Sequence, residues 1–308
     1  MTFLSRALST LSFVFLSSSG LAQTLSLTFD DGLNADTQPR AREWNQQILS
    51  HLESADISAM VFPSLARSGT GTGLELIMDW AKAGHAVGNH TSRHRSLASA
   101  QVTLSEFVQD VAEGDAALRR FPTWVPMLRF PYLKEGDTAE KRDGMRAWMA
   151  ANGYRAAPVS IDASDWYYNQ IYAAHSKSGE QAKAAQVKKA YIAHLLDRAS
   201  YYDGLAKQVL GRSPMHVMLL HTNEINAAAL PDMVAAFRAL GWRFVSPRTA
   251  FGDPVYSLQI DTLPAGESVI WAEAKAMGIS ALRYPAEDSV YEEPKLRSLS
   301  LLPQASSK

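Results

Sequence analysis

Two neighbouring carboxylates, Asp30 and Asp31, followed by Gly32, end the alternating run Thr24-Leu25-Ser26-Leu27-Thr28-Phe29. The alternation predicts a strand, and adjacent acids leaving a strand point in different directions, so one can hold a metal while the other handles a proton. By itself Asp-Asp-Gly also reads as a turn, because Asp tolerates tight turns and Gly supplies positive φ. Two imidazoles four apart, His90 and His94, follow the short run His85-Ala86-Val87-Gly88-Asn89. On a helical turn that spacing puts both rings on one face, where they can converge on one cation. If alternate strands lie parallel, Asp31 and His90 both sit at strand C-terminal ends. Asp plus two His then make a three-ligand site with a position open for water.

The elements that must position these groups alternate along the chain. Helices are predicted over 37–54, 74–83, 103–120, 138–152 and 227–240, from apolar spacing such as Trp44, Ile48 and Leu52 and from glycine stops such as Gly84, Gly153 and Gly241. Strands are predicted over 57–62, 85–89, 127–130, 154–160, 216–220 and 242–245. This order favours an α/β domain with a parallel sheet, open or closed into a barrel, whose functional residues collect at the strand C-termini. Between Asp165 and Met215 the pattern changes to an aromatic segment, an Ala/Lys/Gln-rich stretch, and a helix with Val187, Tyr191, Leu195 and Tyr202 on one face. From Phe251 the alternation stops. Pro254, Pro264, Pro285, Pro294 and Pro303 punctuate the remainder, with one helix near 268–277 and a Ser-rich tail expected to be disordered.

Composition narrows the classes. The chain has 308 residues, 46% hydrophobic and 20% charged, enough for a full core in one large domain. Thirty basic and 31 acidic groups leave no excess of positive charge for a nucleic acid or an anionic membrane. The absence of cysteine excludes disulfides, thiolate metal sites and a cysteine nucleophile. Residues 1–22, with Arg6, an apolar run over 8–16 and small residues before position 23, read as a secretory signal peptide, too short in its apolar part for a membrane anchor. Its removal leaves 29 basic groups against 31 acidic ones, and an exported protein, periplasmic or secreted, with no stable membrane anchor. The chain thus divides into 1–22, a domain over 23–250 and an extension over 251–308.

Five motifs in order carry a resemblance: Thr28-Phe29-Asp30-Asp31-Gly32, His90-Thr91-Ser92-Arg93-His94, Arg129-Phe130-Pro131-Tyr132, Asp162-Ala163-Ser164-Asp165-Trp166 and Leu219-Leu220-His221. From about Leu25 to Val245 the chain resembles polysaccharide deacetylases of the NodB-homology family, carbohydrate esterase family 4. The resemblance implies a distorted (β/α) barrel of about seven parallel strands. It implies that Asp31, His90 and His94 bind a divalent metal, usually Zn2+, and that Asp30 is the general base, oriented by Arg129. His221 becomes the general acid, with Asp162 the matching carboxylate to raise its pKa, and the backbone N–H of Tyr132 an oxyanion donor. Trp166, Leu219 and Pro131 fall at the substrate pocket.

The expected reaction is hydrolysis of acetyl groups on an acetylated glycan, such as the N-acetylglucosamine units of a cell-wall or extracellular polysaccharide. Two alternatives stand beside it: a non-sugar amide hydrolase on the same scaffold, against which the export signal speaks, and a catalytically silent glycan-binding envelope protein, against which Asp30 and His221 speak. His51, His85, His175, His194 and His216 read as structural, and Tyr167 and Tyr168 as open between packing and substrate contact. Leu33 and Leu133 depart from the family's usual small residues. The 59 positions from Asp162 to His221 exceed a simple strand-helix-strand step and predict an insertion that caps or extends the substrate groove.

Overall fold

The computed structural model describes residues 23–286 and 289–303; the predicted signal peptide and the end of the Ser-rich tail lie outside the described residues. The strands are β1 (Thr24–Asp31), β2 (Met60–Pro63), β3 (Ala86–Asn89), β4 (Trp124–Leu128), β5 (Lys134–Gly136), β6 (Arg155–Ala156), β7 (Met215–His221), β8 (Arg243–Phe244) and β9 (Ala265–Gly266). The helices are α1 (Ala41–Ser54), α2 (Leu65–Ser68), α3 (Thr72–Lys82), α4 (Leu104–Leu118), α5 (Ala139–Ala151), α6 (Asp165–Lys177), α7 (Gln181–Leu210), α8 (Glu224–Ala239), α9 (Pro247–Ala250), α10 (Val269–Ala276) and α11 (Glu293–Ser298). Among the described residues no helix is long and apolar enough to cross a membrane.

Seven strands form one parallel sheet in the order β6-β4-β3-β2-β1-β7, with β8 on the early part of β1, and the sheet curls into a distorted barrel. The predicted strand over 154–160 is the main departure from expectation. Its first part pairs with β4, and the chain then leaves that strand to bond β7 through Ser160 N–H and Ile161, which bridges Met218. That bend joins the two edges of the sheet and is why the barrel is distorted. β5 and β9 form a separate antiparallel pair.

The alternation in β1 separates two buried layers. Leu25, Leu27 and Phe29 face helices, with the Phe29 ring 5.2 Å from Trp80 of α3, while Thr28 and Asp30 are buried in the barrel. Small polar residues inside explain why the run looks half-exposed in sequence yet is buried on both faces. Helix starts follow local chemistry: Thr103 caps α4 in a reciprocal box with Glu106, and Thr138 caps α5 through Lys141 N–H. The stretch over 166–213 becomes two helices, α6 and the 30-residue α7, rather than one. Tyr168, Tyr191 and Tyr202 are fully buried there and Tyr167 nearly so. The C-terminal residues pack on these helices. Arg198 donates to Tyr284 O, His175 to Leu301 O, and Ser164 to Ala286 O.

Candidate active site

The first motif ends β1 in a tight turn. Asp31 and Gly32 have φ of 79° and 83°, and Gly32 N–H donates to Asp30 O. A Cβ at position 32 would stand 2.9 Å from Ser68 Cβ, so glycine is required both by conformation and by space. The second motif is not a helical turn, contrary to expectation. Residues 90–94 form a loop in which Thr91 and His94 take φ of 67° and 53°, held by Thr91 N–H to Asn89 Oδ1 and His94 N–H to Thr91 Oγ1. The loop converges the rings by a different route: the two imidazole centroids are 4.8 Å apart, and Asp31, His90 and His94 each offer a ligand atom within 4.8 Å of the others.

These three residues fit a divalent cation on their own chemistry. His90 Nδ1 lies 2.8 Å from Arg129 O, so that nitrogen carries the proton and Nε2 presents its lone pair toward Asp31, 3.8 Å away. Burial, reinforced by His94, holds the His90 pKa well below its usual value, which keeps the ring neutral as a ligand must be. Asp31 Oδ1 is buried, accepts from no backbone N–H and lies 3.2 Å from His94 Nε2, a pair of donor atoms that a shared cation would satisfy. Burial alone would raise the Asp31 pKa, but the His94 contact and the surrounding imidazoles lower it far below the usual carboxylate range. On the outer side Arg67 Nη2 is 3.3 Å from His94 Nδ1.

Asp30 lies deeper. Arg129, fully buried, bonds both its carboxylate oxygens at 3.1 and 3.2 Å and fixes its own position through Ala157 O, Thr28 Oγ1 and the Phe62 ring. Burial raises the Asp30 pKa to about 6, held from going further by the Arg129 and His221 charges. At the end of β7, His221 Nδ1 is 2.7 Å from Asp165 Oδ1, and His221 N–H, Asn226 Nδ2 and Asn223 Nδ2 donate to Asp165 Oδ2. Burial opposes a charge on His221, yet Asp165, with smaller help from Asp31 and Asp30, raises its pKa to about 10.

The carboxylate on His221 is therefore Asp165, which corrects the expectation for Asp162. Both acids belong to the fourth motif, but Asp165 opens α6, directed at the end of β7, whereas Asp162 precedes that turn. Asp162 is buried beside the cleft, its Oδ2 unpartnered and its pKa raised by burial to about 6. Asn223 and Asn226, which hold Asp165, carried no spacing signal; Asn223 could have been suspected as the N-cap of α8, where its side chain accepts from Asn226 N–H.

Asp30, the three candidate ligands and His221 open on one cleft of about 710 Å³, with Arg129 and Asp165 buried behind it. Asp30, Asp31, His90, His94, Tyr132, Asp162, Trp166, Leu219 and His221 line it. Tyr132 is half-exposed, its ring 4.9 Å from that of His94. Leu133 lines the cleft, while Leu33 turns into a small cluster with Ala41 and Leu76. Pro131, Tyr167 and Tyr168 do not line it, and the two tyrosines belong to packing.

Residues 18–156 match a family model described as polysaccharide deacetylase. A peptidoglycan-N-acetylglucosamine deacetylase of Bacillus cereus is 26% identical over 143 residues, 46% of this chain; the chain matches only 46% of that relative's length. Among solved structures, the peptidoglycan N-acetylglucosamine deacetylase Bc1960 superposes with a TM-score of 0.51 at 21% identity, covering 74% of this chain and 88% of the other. The polysaccharide deacetylase Bc1974 from Bacillus cereus gives a TM-score of 0.50 at 20% identity, covering 73% and 91%. These likenesses show a common fold, and residues 18–156, a little under half of the chain, are similar to the polysaccharide deacetylase family model.

Proposed function

We propose that the protein is a metal-dependent hydrolase that removes acetyl groups from an acetylated glycan, with N-acetylglucosamine units of a cell-wall or extracellular polysaccharide as the favoured substrate. The observation that carries this reading is the gathering in one cleft of an Asp-His-His donor set and two proton-handling groups, Asp30 on Arg129 and His221 on Asp165. Asp31, His90 and His94 would hold the cation, Zn2+ being the best match to one carboxylate and two imidazoles. Such an ion supplies Lewis acidity toward an acyl oxygen and toward water.

The protein's own groups do the rest. Asp30 takes the proton of the attacking water, and Arg129 holds its carboxylate in position while limiting its basicity. The donor assigned to the tetrahedral oxyanion is the backbone N–H of Tyr132, a cleft-lining residue in a left-handed turn with Leu133. His221, kept protonated by Asp165, gives its proton to the leaving amine. Trp166 and Leu219 enclose the acetyl methyl. The family match, the named relatives and the predicted signal peptide favour an exported enzyme acting on glycan.

The test is acetate release from chito-oligosaccharides, peptidoglycan fragments and acetylated xylan by protein of measured metal content. Release that needs the metal is expected; protein with stoichiometric zinc that frees no acetate from any of the three would refute the proposal.

A further inference from the structure

Asp165, which holds the proposed proton donor His221, is the first residue of α6, and the residue before it is bonded in an unusual way. A serine at a helix N-cap ordinarily accepts from the first-turn N–H groups of its own helix. Ser164 does not. Its hydroxyl lies 2.9 Å from Ala286 O and 3.3 Å from Glu292 Oε1, so it donates toward the C-terminal segment. Its N–H donates to His194 Nε2 of α7 at 3.1 Å. With Nε2 accepting, the ring proton sits on Nδ1, which faces Glu292 Oε2 at 3.3 Å. Burial holds the His194 pKa below its usual value, as a neutral acceptor requires. Ser164, His194 and Glu292 are all buried.

This chain of contacts ends on the proton donor. His221 closes β7, whose position is set by its parallel register on β1, so the 2.7 Å bond from His221 Nδ1 to Asp165 Oδ1 depends on where α6 begins. Asn223 and Asn226 hold the Asp165 carboxylate from α8, and Ser164 holds the backbone just before it. Without the Glu292 carboxylate the His194 Nδ1–H loses its acceptor, and the ring is free to turn Nε2 away from Ser164 N–H. A buried N–H without a partner is costly enough for the turn to shift, and Asp165 shifts with it. The effect is geometric rather than electrostatic: the charges on Glu292 come from His194, Arg198 and Lys295, whereas His221 is charged by Asp165, Asp31 and Asp30. Glu292 lies in the extension over 251–308 and His194 in the long insertion, which gives both segments a task at the site.

We infer that Glu292 is a positioning residue for the proton donor, acting through His194 and Ser164 on Asp165 and so on His221; the inference rests on the deacetylase reading. The test compares two acetyl donors that differ in their need for an acid. A chito-oligosaccharide must release an amine, which leaves only with a proton, whereas para-nitrophenyl acetate releases a phenolate that leaves without one. Glu292→Ala and His194→Phe are expected to lower kcat on the chito-oligosaccharide by about 10- to 100-fold, the scale of a misplaced catalytic group. KM for that substrate and the rate on para-nitrophenyl acetate should change by less than about twofold, since neither needs the acid. Glu292→Gln keeps an acceptor oxygen for His194 Nδ1–H and should restore most of the lost kcat. His194→Phe keeps the ring packed on Tyr168, 4.9 Å away, and carries the test if Glu292→Ala impairs folding. Equal losses on both substrates, or full amide turnover in both disruptive variants, would overturn the role. A measurement without turnover stands beside these: the downfield proton NMR signal of His221 Nδ1–H, identified by its loss in His221→Gln, should move upfield or vanish in Glu292→Ala and persist in Glu292→Gln. That change in a wild-type background that releases no acetate defeats only the assigned reaction; acetate release with the signal unmoved in Glu292→Ala defeats only the positioning role.

Discussion

Asp165→Asn tests the proton-donor half of the proposed mechanism most severely. Asp165 is fully buried and faces four N–H groups: His221 Nδ1 at 2.7 Å, His221 N at 2.7 Å, Asn226 Nδ2 at 2.7 Å and Asn223 Nδ2 at 3.1 Å. An amide has the carboxylate's shape but only one acceptor oxygen, so its NH2 must point at one of these donors. The larger consequence falls on His221. Burial disfavours its charge, and Asp165 is the main group that raises its pKa from 6.5 to about 10. With that charge removed the value returns to 6.5 or below, a loss on the order of 5 kcal/mol for the imidazolium at 1.36 kcal/mol per unit. The sign follows from the raised value: protonated His221, and the stability it contributes, is fully present below pH 6.5 and is lost as pH rises through about 10. A cation on Asp31 cancels part of the Asp31 contribution, so the limb in the loaded enzyme lies somewhat below 10. In the wild type kcat/KM for acetate release should therefore hold into the alkaline range. In Asp165→Asn the alkaline limb should move to about 6.5, leaving roughly 3% of the acid form at pH 8 and a loss of about 30-fold there. The measurement is kcat/KM from pH 5 to 10 at matched metal content, with Asp162→Asn as the control. An unshifted limb in Asp165→Asn, or an equal shift in the control, would refute the assignment.

Asp30→Asn should lower kcat by about 10²–10⁴-fold with metal stoichiometry retained; activity equal to wild type would remove Asp30 from the role of base. Arg129→Met leaves the Asp30 carboxylate buried without its partner, and should cost about 3–5 kcal/mol of stability, read as a lower Tm. Its surviving activity should show an acidic limb moved upward, because the cation that restrains the Asp30 pKa is gone. An unchanged Tm would show that the buried pair is not what the barrel interior depends on. Arg67→Ala should tighten Zn2+ binding severalfold by calorimetry, since the half-exposed guanidinium lies 3.3 Å from His94 Nδ1 and repels an incoming dication. Weaker binding in that variant would mean that Arg67 orients the ligand instead.

Much of this site was legible in sequence because it lies at strand ends. A run such as Thr24 to Phe29 announces a strand, and residues just beyond it in a parallel sheet gather on one face. What stayed hidden depended on the third dimension. Asp162 and Asp165 are three apart in one motif, and nothing in their spacing says which meets His221. The answer rests on where α6 begins and on Asn223 and Asn226, presented by α8. The strand expected over 154–160 has Ala156, Ala157, Pro158 and Val159 in a row with no alternation, so periodicity could not reveal that it changes neighbours midway, from β4 to β7. Likewise the four-residue spacing of His90 and His94 pointed to a helix, and the rings meet through a loop instead.

That loop is part of a pattern in the backbone. Asp31, Thr91, His94, Tyr132 and Leu133 are five of the eight described non-glycine residues with positive φ. All five belong to the three segments that surround the proposed cation and oxyanion positions. Left-handed conformation costs about 1–2 kcal/mol for an ordinary residue, so five at one place are retained only where neighbouring contacts determine them. Those contacts are present: Ser64 N–H on Asp31 O, His90 N–H on Pro63 O, Thr91 N–H on Asn89 Oδ1, and Leu133 N–H on Phe130 O. Gly114 contributes by its lack of a side chain, since a Cβ there would stand 2.6 Å from Asn89 Oδ1. The convergence of Asp31, His90 and His94 is thus enforced by hydrogen bonds and packing within the chain. A cation entering such a site meets ligands already gathered, and its binding free energy is not consumed in assembling them.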